Sequence, residues 1–206
     1  KTPGTGANYL TEVTMGASVN HSHLFFDVLW INSGLTVTTT TAQSITTPTL
    51  PARDVNGTTD GEGLMIGLMF TAAATNAAAI ANSTVSYTNS AGTSGRTATL
   101  SAIAGSQIPA TPVIGTMVWF NLQAGDKGVR SIQSITLATS LVTGSISLFI
   151  ARDLANIGTS LVNVQFTRKL SDPGVRLFNN TCMLHCILAS ATTATFFNGE
   201  LTVQEK

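Results

Sequence analysis

Ser83-Thr84-Val85-Ser86-Tyr87-Thr88 and Arg96-Thr97-Ala98-Thr99-Leu100 flank the segment Asn89-Ser90-Ala91-Gly92-Thr93-Ser94-Gly95, and this stretch decides the fold class. Both arms alternate apolar or β-branched residues with polar ones, and the segment between them is dense in turn formers. That combination predicts a β-hairpin. Working outward, the same grammar recurs. Leu64-Met65-Ile66-Gly67-Leu68-Met69-Phe70 is apolar on both faces, as a strand buried between layers would be. Further strands are expected at 116–123, 129–137, 145–151, 161–167, 182–189 and 195–203, the last interrupted at Asn198-Gly199. Leu35-Thr36-Val37-Thr38-Thr39-Thr40-Thr41 reads as a solvated β-branched strand. Short strands separated by Gly-rich turns indicate an all-β, antiparallel β-sandwich. A jelly-roll-like arrangement is the first expectation and a barrel the second.

Two segments break the pattern. Over Ser22-His23-Leu24-Phe25-Phe26-Asp27-Val28-Leu29-Trp30-Ile31-Asn32-Ser33-Gly34, Leu24, Phe25, Val28 and Leu29 recur at helical spacing. With Ser22 as N-cap and Gly34 beyond the end, one short N-terminal helix is expected there, a strand being the alternative. Residues 1–20 carry few apolar anchors and read as an extended arm. Tyr9, Leu10 and Met15 are its candidate contacts with a neighbouring subunit. Residues 21–206 are then expected to form a single domain, since neither a repeat nor a low-complexity linker divides them.

Composition narrows the function. Ten basic and ten acidic residues cancel, and only 10% of the chain is charged against an ordinary quarter or so. Thr, Ser, Asn, Ala and Gly occupy the positions where Lys and Glu usually sit. Nucleic-acid binding needs a positive field to displace counterions, and no basic run supplies one. No apolar stretch reaches the roughly 18–20 residues of a membrane span, and Lys1-Thr2-Pro3-Gly4-Thr5-Gly6 has no signal-peptide core. Neutrality weakens the self-repulsion that keeps proteins apart, so a life inside an assembly suits this surface.

The chain lacks a G-x-S-x-G nucleophile elbow. Among its acids Asp60, Glu62, Asp126 and Glu200 sit beside Gly or Asn, where solvated turn carboxylates are usual, and no pair suggests glycoside cleavage. His21 and His23 flank Ser22 and are expected to be exposed capping residues. Cys182 and Cys186 would lie roughly 13 Å apart on a strand, too far for a disulfide, and with His185 they lack the second ligand pair of a zinc site. Gly61-Glu62-Gly63 with Gly67 precedes a strand instead of opening a helix, unlike a dinucleotide fingerprint. Asp54-Val55-Asn56-Gly57-Thr58-Thr59-Asp60-Gly61-Glu62 is the most suggestive loop. Asp54, Asn56, Asp60 and Glu62 are calcium candidates, although the glycine and glutamate positions depart from the EF-hand pattern. No catalytic residue and no cofactor is expected.

Four phrases then carry a resemblance: Leu29-Trp30-Ile31-Asn32-Ser33-Gly34-Leu35, Pro51-Ala52-Arg53-Asp54-Val55-Asn56-Gly57, Ser86 to Arg96, and Gln123-Ala124-Gly125-Asp126-Lys127-Gly128-Val129-Arg130-Ser131-Ile132. Over about residues 24–157 the chain resembles a family of tailed-bacteriophage virion structural proteins of the head-decoration or minor-capsid type. That resemblance implies a non-enzymatic capsid decoration or cement protein on the phage head. Its partners would be the major capsid protein or other virion proteins, and it would form a homo-oligomer, a trimer favoured. A tail, collar or fibre-associated component, or a carbohydrate- or receptor-binding sandwich, is the alternative. The family lends no active site to carry over.

Overall fold

The computed structural model describes residues 6–101, 103, 107–189 and 196–206. These hold thirteen strands and no helix. In chain order they are β1 (Asn8–Ala17), β2 (His21–Asn32), β3 (Gln43–Ser44), β4 (Leu64–Ala72), β5 (Thr84–Asn89), β6 (Arg96–Thr99) and β7 (Met117–Trp119). Then follow β8 (Val129–Thr136), β9 (Ser145–Thr159), β10 (Gln165–Lys169), β11 (Val175–Leu177), β12 (Met183–Ala189) and β13 (Phe197–Glu205). The chain divides into two compact units. Residues 28–152 make a continuous one, and 1–27 with 153–206 make a discontinuous one. Neither divide falls at residue 20, where the sequence pattern placed the end of an arm.

The continuous unit is built on the expected hairpin. β5 and β6 pair antiparallel from Thr84↔Thr99 to Tyr87↔Arg96, and β8 lies along the other edge of β5 with β3 beyond it. A second layer pairs β4 with the Ser145–Arg152 part of β9 and with β7. The alternation does what a pleat requires: Val85, Tyr87, Ala98, Ile132 and Ile135 from one layer meet Leu64, Ile66, Leu68, Phe70, Ile146, Leu148 and Ile150 from the other in one core. Here Gly67 is a packing device. A Cβ at this position would stand 2.2 Å from the Phe149 ring, which occupies the space over the glycine and meets Trp119 edge-on.

In the discontinuous unit β1 is a central strand. It pairs with β13 along one edge, from Asn8↔Glu205 to Ala17↔Phe197, and with β10 and β11 along the other. Leu10, Val13 and Met15 bury themselves against Phe25, Leu154, Ala155 and Ile157. The arm expected over residues 1–20 is therefore corrected where β1, Asn8–Ala17, runs through it. Its anchors Leu10 and Met15 are spent on this chain's own core, while Tyr9 is only half-buried. β13 also runs through Asn198-Gly199 without a break, because Gly199 lets the strand close over the Met15 sulfur, 2.2 Å from where a Cβ would be.

Two further expectations are corrected. The helix over residues 22–34 is strand β2, paired with β12 from His21↔Ala189 to Asp27↔Met183. Its inward positions include His21, His23, Phe25 and Asp27, all buried. Three of these four are polar, so a count of apolar residues misses a period of two. The strand expected over 35–41 forms no ladder. The Gln43 side-chain amide accepts from Thr36 N at 2.7 Å and donates to Thr36 O at 2.9 Å, closing the segment locally in place of a partner strand.

Candidate functional site

The acidic loop is organised around Asp54, which is fully buried. Its two oxygens accept from Asn56 N, Thr58 N, Thr58 Oγ1, Gly61 N and Glu62 N, at 2.6–3.2 Å. Burial pushes this carboxyl up, but the bonds from Thr58, Asn56 and Glu62 outweigh it and hold it below the usual carboxylate range. The other calcium candidates are engaged elsewhere: Asn56 Nδ2 donates to Glu62 Oε2 at 3.0 Å, and Asp60 pairs with Arg130 at 2.5 Å. N–H groups aimed at both Asp54 oxygens present positive charge where a cation would have to sit. The loop is a carboxylate-centred turn, and the calcium reading of Asp54, Asn56, Asp60 and Glu62 is corrected accordingly.

A second polar centre joins elements far apart in sequence. Asp126 accepts from Tyr87 Oη, from Asn89 Nδ2 at 2.7 Å and from Arg96 Nε at 2.9 Å; Gln123 N in turn donates to Tyr87 Oη at 3.0 Å. The Arg96 bond holds the Asp126 carboxyl down to about 2, against the opposing effect of burial. Burial first, and the bond to Asp126 second, push the Tyr87 phenol up to about 12. These bonds tie the β5–β6 hairpin to the 121–126 loop and spend the Asp126 carboxylate on partners within the chain.

The third cluster is one that the sequence did not announce. All three histidines of the chain gather in the discontinuous unit. His23 Nδ1 lies 3.0 Å from His185 Nε2, and the two rings stack with centroids 5.3 Å apart. His185 also lies flat on Phe25, at 4.6 Å and 5°, with the edge of Phe197 against it at 5.5 Å. His21 stands edge-on to His23, 6.3 Å between centroids. Expected as exposed caps, His21 and His23 are instead inward residues of β2, 4% and 0% exposed. Alternation along β2 put them on one face with Phe25, and the β12 register set His185 beside them.

The cysteines do not join this cluster as ligands. Cys182 is exposed and Cys186 buried, and burial pushes the Cys186 thiol up to about 11, the state of an inert packing residue. Among the described residues, no group of three or more His, Cys, Asp or Glu is placed to hold a metal ion. Two open cavities border the histidines. One of about 360 Å³ includes His185, Phe25, Phe197 and Glu200 in its wall, and one of about 340 Å³ includes His21, Thr159 and Leu188. No family model, no curated protein and no solved structure matches the chain.

Proposed function

We propose that this protein is a structural component of a tailed-phage virion and works by burying neutral β-sheet surface against its neighbours. The observation that carries the reading is the pairing of very low charge with large apolar side chains left in solvent. Phe196 is 85% exposed, Ile103 72% and Ile114 70%, joined by Val113, Val142, Leu161, Val162 and Leu188. Single exposed apolar residues are ordinary; a run such as Leu161, Val162 and Val164 on a sparsely charged chain suits contact with other proteins. The phage-like phrases at 29–35, 51–57, 86–96 and 123–132 supply the virion context. Within the antiparallel sandwich, a jelly-roll connectivity is the finer arrangement proposed.

The role favoured is capsid decoration: a homo-oligomer, a trimer first, seated on the major capsid protein at the head surface and adding buried area to the shell. Apolar burial at about 25 cal/mol per Å² would drive that attachment, with charge pairs contributing little. A tail, collar or fibre-base component is the second reading. The polar centres support a non-catalytic role in either case, since their carboxylates are held by donors of the same chain. A glycan-binding role draws less support from the small aromatic inventory: Trp30 packs on the core, Trp119 on Phe149, and Tyr87 is buried. Cryo-EM of the particle, with copy number from a stained gel, tests the proposal. Hundreds of copies spread over the head are expected. A handful at one vertex would replace decoration with the tail reading, and absence from the particle would overturn both.

A further inference from the structure

We propose that His23 and His185 form a pH-sensitive clasp that secures β12 to β2 at neutral pH and loosens it in acid. This is independent of the virion reading and rests on how the rings are seated. A ring-to-ring N–H···N bond across 3.0 Å requires one donor and one acceptor. Two imidazolium rings have no acceptor between them. A first added proton goes to the ring nitrogen left outside the contact, His185 Nδ1 or His23 Nε2 according to the tautomer, and the N–H···N bond survives it. A second proton removes the acceptor, and the bond is lost. Full protonation also places a charge on His23, whose Nε2 is buried without a hydrogen-bond partner and whose ring packs against Phe197.

The surroundings offer that charge little relief. On β2 the other titratable groups are His21, whose two ring nitrogens are buried without partners, and Asp27, which accepts from Cys182 N at 2.9 Å and Thr181 Oγ1 at 3.4 Å. From β12 come Met183 and the remote thiol of Cys186; β13 brings Phe197 and Glu200, the latter in the wall of the cavity that His185 borders; β1 brings Met15 to that wall. β9 presents Thr159, which bonds the His21 backbone. No carboxylate is hydrogen-bonded to either ring of the pair among the described residues. Burial, then the charges His185 and His21 would carry, hold His23 below its ordinary 6.5, and burial alone lowers His185.

The sign follows. A histidine held low in the folded state binds protons more readily once unfolded. Stability is therefore complete above pH 6.5 and falls as the pH drops from there through the lowered folded values. Because β12 pairs with β2 along Met183–Ala189 and carries one ring of the pair, the loss should register first in that strand.

The test is an NMR titration of the whole chain labelled with ¹⁵N-histidine, from pH 8 to 4.5, with amide exchange measured alongside. Expected are two histidines titrating in separate steps below 6.5, and amides of 183–189 that lose protection tenfold or more between pH 7 and 5 after correction for intrinsic rates. Amides of β4 should keep theirs. The double variant His23→Leu, His185→Phe should abolish that differential loss. Should the variant fail to fold, the titration of the unaltered protein still decides. Titration of both rings at or above 6.5 would overturn the clasp, as would β12 protection indifferent to pH. Uptake of one zinc per chain that shifts both rings together would likewise sink it, assigning the pair to a metal.

Discussion

At the scale of single residues, the lesson lies in Tyr87 and Asp126. Tyr87 is easily read as a core position of an alternating strand, yet Asp126, beside Gly125, has the sequence context of a solvated turn acid. Its partners Tyr87, Asn89 and Arg96 stand 30–39 positions away, a distance at which local pattern is silent. Removing the hydroxyl as Tyr87→Phe deprives both Asp126 and Gln123 N of a partner, and about 1–2 kcal/mol of stability should be lost in urea denaturation. Acid should reach the same centre. With its folded carboxyl at about 2 against an ordinary 3.8, Asp126 contributes fully above about pH 4, and the contribution disappears as pH falls toward 2. Urea midpoints at pH 5, 3.5 and 2.5 should decline in that order, and the decline should be shallower in Asp126→Asn. A flat series would contradict the assignment.

Among the elements, hairpin β5–β6 and strand β4 were legible because their inward positions are apolar and their turns carry Gly and Asn. β2 was not, since His21, His23 and Asp27 take core-facing positions that hydropathy scores as surface. β1 was hidden for a related reason: its Leu10, Val13 and Met15 look too sparse for a central strand until β13 and β10 flank it. The histidine cluster needed the β2–β12 register, which pairs residues some 160 positions apart and leaves no mark in either segment alone. Sheet packing also sets a demand on Gly67. Placing a methyl group there meets the Phe149 ring at 2.2 Å, so Gly67→Ala should cost about 1–3 kcal/mol. Combining it with Phe149→Leu should recover part of that loss, and a thermal-melt double-mutant cycle would expose the coupling. Strict additivity of the two changes would show that the ring is not the obstacle.

For the molecule as a whole, a sparsely charged chain leaves large apolar side chains such as Phe196, Ile103 and Ile114 in solvent. The division of the chain is itself testable. Residues 28–152 enclose their own core, from Leu50 and Leu64 to Ile150, so a fragment of those residues should fold alone and unfold cooperatively in denaturant. A fragment without dispersed NMR amide signals would mean that the unit borrows its stability from the rest. The other unit is discontinuous, its strands β1 and β13 separated in sequence by the whole of 28–152. During translation the ribosome completes 28–152 before any of 153–206 exists. β1 therefore emerges before its partner, and its Leu10, Val13 and Met15 lack that cover until residues 197–205 have been made. A nascent chain stalled late should be the form most in need of a chaperone.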